Sequence, residues 1–155
     1  MMKMLRATLV FGSAMVLMAR PALSQGGATT PDPERAAVQQ VIADLATRIQ
    51  SGDLASIDSM FRGRGVHILT DTATTHGWPE YRDKFLKPEL ARYKNLQFTH
   101  SAVEPQVRGN VAWVAFREEL SGETASGPTK VSGRGTAVLE KLDGRWRIVH
   151  LHVSR

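Results

Sequence analysis

The chain has 155 residues, 42% of them hydrophobic, a formal charge of +5 and no cysteine. That length accommodates one domain with one core, and the missing cysteines exclude disulfides, thiolate zinc sites and cysteine nucleophiles. Arg and Lys are interspersed with Asp and Glu, which excludes the concentrated basic face that nucleic-acid binding needs.

Residues 1–24 read as a secretory signal peptide. Lys3 and Arg6 form a positive start, Ala7 to Ala19 is an apolar run, and Ala22-Leu23-Ser24 supplies small residues for cleavage before Gln25. The run is too short to span a bilayer, which takes about 20 apolar residues. Removing Lys3, Arg6 and Arg20 lowers the charge from +5 to +2 and leaves 131 residues. The expected location is secreted or periplasmic, with no membrane association after cleavage. Residues 25–33, rich in Gly, Thr and Pro, read as a flexible leader. The folded domain is expected over 34–155.

Asp32-Pro33-Glu34 opens a helix with a capping acid and a proline in the first turn. Val38, Val41, Ile42, Leu45 and Ile49 form its apolar stripe, and Ser51-Gly52-Asp53 ends it. Asp53 caps a second short helix carrying Leu54, Ile57 and Phe61. Arg62-Gly63-Arg64-Gly65 is a turn; no Gly-Lys-Ser/Thr follows, so it is not a phosphate-binding loop. Val66 to Thr70 is a strand and Asp71 to Thr75 a polar turn. A third helix starts at His76-Gly77-Trp78-Pro79-Glu80, buries Trp78, Tyr81, Phe85 and Leu86, and is kinked or shortened by Pro88.

From Asn95 the period changes to two. Leu96 to Val103, Val111 to Leu120, Lys130 to Lys141 and the strand after Asp143-Gly144 alternate as an antiparallel meander. Ser121 to Pro128 reads as a polar loop, and Gly133 and Gly135 as a bend. Asp-Gly is a strong hairpin turn because both residues tolerate positive φ. In the last strand Trp146, Ile148, His150 and His152 share one face by alternation, and Arg147, Val149, Leu151 and Val153 the other. The histidine face is expected to line a cavity. The fold class is α+β, three helices packed in a curved antiparallel sheet.

This order of elements resembles the nuclear transport factor 2-like superfamily, and within it the SnoaL-like domain group. The similarity covers Glu34 to Ser154. It rests on Ser51-Gly52-Asp53, Gly77, Gly109-Asn110-Val111-Ala112-Trp113-Val114 and the closing stretch Asp143 to Ser154. The last strand is also similar to the association (hub) domain of the calcium/calmodulin-dependent kinase. The resemblance implies a cone-shaped fold with a pocket and a homodimer, and leaves function to the site. Glu118, Ala137 and Val153 stand where the hub has pocket arginines, so anion binding does not carry over; Arg134 is the candidate substitute.

The reading these features favour is an exported domain binding a small hydrophobic or amphipathic molecule, without cofactor or metal and without committed chemistry. Its expected lining is Trp78, Tyr81, His100, Trp113, Arg134, His150 and His152. An alternative is an acid–base enzyme of isomerase, cyclase or dehydratase type acting on a small apolar carbonyl compound, with Asp71, His100 and His152 catalytic. Asp71 falls near the base of the ketosteroid isomerases, whereas Leu45 takes the place of their first-helix tyrosine. A metal held by His150 and His152 with His67 or His100 is a weaker alternative. An oligomerisation module is another. Homodimer contacts are expected through Val114, Phe116, Val149, Leu151 and Val153.

Overall fold

The computed structural model describes residues 32–63 and 65–155. The signal peptide, its cleavage site and all but the last two residues of the leader lie outside them. Helix α1 (Pro33–Ser51) begins where Asp32 accepts a hydrogen bond from the Glu34 amide at 3.0 Å. It ends on Gly52, whose positive φ of 74° allows its amide to cap the carbonyls of Arg48 and Ile49. Its expected stripe is buried at Val38, Ile42, Leu45 and Ile49.

The expected second helix is a five-residue 3₁₀ turn (Ser56–Met60), started by the Asp53 side chain accepting from the Ser56 amide. It delivers Ile57, Met60 and Phe61 to the core. Strand β1 (His67–Leu69) follows. The expected polar turn after it contains a further short strand, β2 (Thr74–His76), antiparallel to β1. The last helical segment is continuous through α2 (Trp78–Tyr81), a π-helical turn (Arg82–Leu86) and α3 (Lys87–Leu90). Pro88 cannot donate an amide to a preceding carbonyl. The helix accommodates it with the wide turn before it instead of breaking. Two helical bodies and a 3₁₀ turn therefore stand where three helices were expected.

The meander is longer than the sequence pattern suggested: β3 (Lys94–Arg108), β4 (Val111–Thr124), β5 (Gly127–Leu142) and β6 (Arg145–Ser154). The expected loop from Ser121 to Pro128 is ladder, with pairing carried to Thr124 and Gly127. Asp143 and Gly144 take φ of 49° and 74°, as the hairpin turn requires. The six strands run in the order β2-β1-β6-β5-β4-β3, with β1 parallel to β6 and the other pairs antiparallel.

The sheet wraps α1. Gln39 and Gln50 tie that helix to the backbone of Val103 and Phe98 on β3. Glu34, at its start, accepts from the indole of Trp146 at 2.9 Å and pairs with Lys141, closing one end of the cone. Among the described residues, no helix is long and apolar enough to cross a membrane.

Candidate functional site

Cross-strand register decides which side chains meet. On the concave face, Val114, Ala137, Leu151, Ile68 and Thr75 lie in one row from β4 to β2, all buried. Nearer the open end, Phe116 pairs with Gly135 and Gly135 with Val153. The next row is polar: His100 on β3 stands directly opposite Glu118 on β4. Arg155, just past β6, continues the inward alternation of Leu151 and Val153 and crosses that row.

Among the described residues Glu118 is the charged residue buried in the core, its side chain 7% exposed. Its Oε1 accepts from Arg155 Nη2 at 2.9 Å and Nε at 3.3 Å. Its Oε2 lies 3.6 Å from His100 Nε2. Burial works against the carboxylate's charge, but the imidazole and the guanidinium outweigh it and hold Glu118 below the usual carboxylate range. His100 Nδ1 sits 3.0 Å from the Ile42 carbonyl, which assigns the proton to Nδ1. Its Nε2 is buried and faces the Glu118 carboxylate, with no hydrogen-bond partner closer than that.

A cavity of about 280 Å³ opens beside this pair. Its walls are the β1–β2 turn with Thr70, Asp71 and Thr72, the helical segment with Tyr81, Phe85, Leu86 and Glu89, and Val153 and Arg155 from the end of the sheet. Asp71 Oδ2 accepts from the Arg155 amide at 2.7 Å, and Glu89 Oε1 lies 3.4 Å from its Nη1. Burial, reinforced by the Glu118 carboxylate, pushes the Tyr81 hydroxyl up to about 12, so it stays a proton donor at neutral pH. Behind Arg155 lies a narrow space of about 20 Å³ bounded by Leu45, Trp78, Phe98, His100, Phe116 and Glu118. Tyr81, Leu86, Val153 and Arg155 border both spaces.

Of the residues expected at the site, Asp71, Trp78, Tyr81 and His100 gather around these spaces. Trp113, Arg134, His150 and His152 do not. Trp113 is 43% exposed on the opposite face, and Arg134 and His152 are exposed there too. The cause on β6 is a bulge. Ile148 pairs with Leu139 and His150 with Val138, leaving Val149 as the extra residue. Alternation is reset, so Trp146, Ile148, Leu151 and Val153 face inward and the two histidines outward. The bulge turns the expected dimer contacts Leu151 and Val153 inward, and Val114 and Phe116 lie on the concave face of β4, so four of the five are core residues.

On the outer face His76, His67 and His150 form one row, with Val138 and Trp113 continuing it. The rings of His67 and His76 meet edge to face with centroids 5.0 Å apart. Partial burial, together with His152 and His67, holds His150 below its usual value. Among the described residues, no three His, Asp or Glu side chains converge closely enough to hold a metal ion. His100 and Asp71 are separated from His150 and His152 by the sheet itself.

The sequence reading did not count Glu118 or Arg155 among the site residues, although both carried a signal. Glu118 is an acid in register with Val114, Phe116 and Leu120, and Arg155 continues the period of Leu151 and Val153.

The model of the SnoaL-like domain matches residues 38–155. This chain belongs to the SnoaL-like domain family. A nuclear transport factor 2-like protein from Salmonella enterica superposes with a TM-score of 0.70 at 19% identity, over 77% of this chain and 89% of that one. A candidate ketosteroid isomerase from Shewanella frigidimarina gives 0.67 at 24% identity, over 76% and 94%. A candidate dehydratase from Streptomyces avermitilis gives 0.68 at 18% identity, over 81% and 97%. No curated protein matches the sequence. These similarities establish the cone fold; the chemistry has to come from the residues of this SnoaL-like domain.

Proposed function

We propose that this SnoaL-like domain binds a small amphipathic molecule at the open end of its cone. The observation that supports it is the cavity of about 280 Å³ beside the buried His100–Glu118 pair. That volume is at the lower edge of ligand-sized pockets, which run from about 300 Å³ upward. Phe85, Leu86 and Val153 offer an apolar wall, and Asp71, Tyr81 and Arg155 the polar groups that would orient a ligand. A fragment screen followed by NMR on labelled protein tests the reading. Chemical-shift changes should gather at Asp71, Tyr81, Phe85, Leu86 and Val153. Changes confined to the outer face around Trp113 and His150, or no binder at all, would refute it. On this reading the domain acts after export, as a homodimer.

A second reading, proton transfer next to a carbonyl, draws support from Asp71 and Tyr81 bordering one cavity. Asp71 would serve as the base and the protonated Tyr81 hydroxyl as donor to the developing oxyanion. The isomerase and dehydratase named among the structural neighbours belong to the same broad chemistry, by analogy of fold alone. Deuterium exchange at the α-carbon of small ketones should then be accelerated by wild type and lost in Asp71→Asn. Equal rates in both proteins would exclude it.

A further inference from the structure

We propose that the outer face of the sheet carries a binding site for a tetrahedral dianion, a phosphate or sulfate group free or at the end of an ester, centred on Arg117 and Arg134. The site lies across the sheet from the cavity and does not depend on what the cavity takes.

Alternation sorts the charges of β4. Glu118 points inward to Arg155, while Arg117 and Glu119 point outward. Register then puts Arg117 directly opposite Arg134 on β5, both exposed. Like charges opposite each other across two strands repel and destabilise the pairing. Among the described residues, no carboxylate relieves them. Glu119, two positions along β4, is held by Lys130 at 2.8 Å. Glu104 stands opposite Ala115 on the edge strand β3, two strands away from Arg134. Glu118, the carboxylate between Arg117 and Glu119 in the chain, is on the other side of the sheet with Arg155.

The neighbours of the pair give this unmet charge a shape. From β3 to β6 the row reads Ser101, Arg117, Arg134, Ser154, so a hydroxyl flanks each guanidinium on the same face. In the next row Thr136 and His152 stand opposite each other and add a hydroxyl and an imidazole. Side chains directly opposite on paired strands have Cβ atoms about 4.5–5.5 Å apart, so both guanidinium forks can close on one group above the row. Each fork offers an oxyanion two parallel N–H bonds. Two forks match the oxygens of a tetrahedral anion, and two positive charges match its two negative ones. A monocarboxylate brings one charge and two oxygens and leaves one arginine unmet.

The experiment titrates the protein with inorganic phosphate, sulfate, acetate and phenyl phosphate at constant ionic strength set by chloride, which fixes screening. It is run at about pH 8, where a phosphate group carries two charges. Phosphate should shift the NMR signals of the Arg117 and Arg134 Nε–H groups saturably in wild type, a readout that needs no variant to fold. Arg117→Gln and Arg134→Gln should each weaken binding at least fivefold. Arg134→Lys, which keeps the charge and loses the fork, should fall between. In chloride alone Arg134→Gln should unfold at a urea concentration equal to or above that of wild type, because it removes the repulsion. Phosphate should raise the wild-type midpoint and leave that of Arg134→Gln in place. Sulfate should bind as phosphate does, and acetate at least tenfold more weakly. Phenyl phosphate separates the two sources: affinity equal to that of inorganic phosphate assigns the free ion, and tighter binding assigns an ester. Shifts no larger than chloride produces, acetate binding as tight as phosphate, or saturable shifts at Arg155 in place of Arg117 and Arg134 would overturn the site.

Discussion

Replacing Glu118 with Gln removes one negative charge from the interior at almost constant volume. The carboxylate loses its charge-assisted bonds to Arg155 at 2.9 and 3.3 Å and its approach to His100 at 3.6 Å. A hydrogen bond to a charged group is worth about 1.5–3 kcal/mol. Breaking a fully buried pair costs about 3–5 kcal/mol because the other charge is stranded. That upper range does not apply, since the Arg155 side chain is 29% exposed and can turn toward Glu89 and water. The expected loss at pH 7 is therefore about 1–2 kcal/mol. The loss must depend on pH. Glu118 is held below the carboxylate range in the folded state, so its contribution is complete above the unfolded value of 4.5. It is lost as pH falls through the lowered folded value. Urea denaturation at pH 7, 5, 4 and 3 should show the wild-type advantage constant from 7 to 5 and shrinking below 4.5. An advantage that is absent at pH 7, or equal at every pH, would refute the pair as drawn.

Gly135→Ala would drive a Cβ into the Phe116 ring, and that ring is backed by His100 at a centroid distance of 4.4 Å. A loss of about 1–3 kcal/mol is expected from overpacking, and an unchanged urea midpoint would contradict it. His152→Phe lies on the outer face, so stability should stay within about 0.5 kcal/mol and cavity binding should be unchanged; loss of binding would put His152 back in the pocket. The homodimer should use the outer face, where Val111 and Trp113 are 42% and 43% exposed. Trp113→Glu should then sediment as a monomer, and a wild type that is already monomeric at micromolar concentration would sink that assignment. The exported protein should begin at or near Gln25 by N-terminal sequencing; an intact Met1 would contradict the signal peptide.

Helix α1, its caps and the Asp-Gly hairpin were legible because their determinants are local. The capping side chain, the apolar stripe and the positive-φ residues all lie within a few positions of what they control. Strand faces were legible only as pairs of alternatives. Alternation shows that Val114, Phe116 and Glu118 share a face, but not whether that face looks inward. The tertiary packing of α1 decides that, and Trp113, large and aromatic, was assigned to the wrong side. On β6 the failure has a different cause. The bulge at Val149 resets the period by one residue, and a one-residue slip moves every later side chain to the other face. Nothing in Arg147-Ile148-Val149-His150 marks it. The strand Thr74–His76 was hidden because its three residues gain their pairing from β1, not from a pattern of their own.

The position of the cavity follows from a gradient in side-chain size along one strand. The inward residues of β5, taken toward the open end, are Leu139, Ala137, Gly135 and Gly133. Leu139 and Ala137 fill the closed half of the cone with no exposure. At Gly135 the missing side chain is replaced by the Phe116 ring lying across the strand. At Gly133 a Cβ would meet the Ser154 carbonyl at 2.7 Å and Arg155 Cγ at 3.1 Å, so the bare α-carbon is where Arg155 passes. The sequence reading took the two glycines for a bend. Their effect is to thin the wall, so that a polar row fits between Phe116 and the buried pair Phe98–Leu120. Glu118 sits between two apolar rows, and without a cation beside it a charge would be stranded there. Gly133 lets Arg155 reach Glu118, and in that way the stepwise loss of side-chain volume on β5 makes room for a paired charge between two apolar rows.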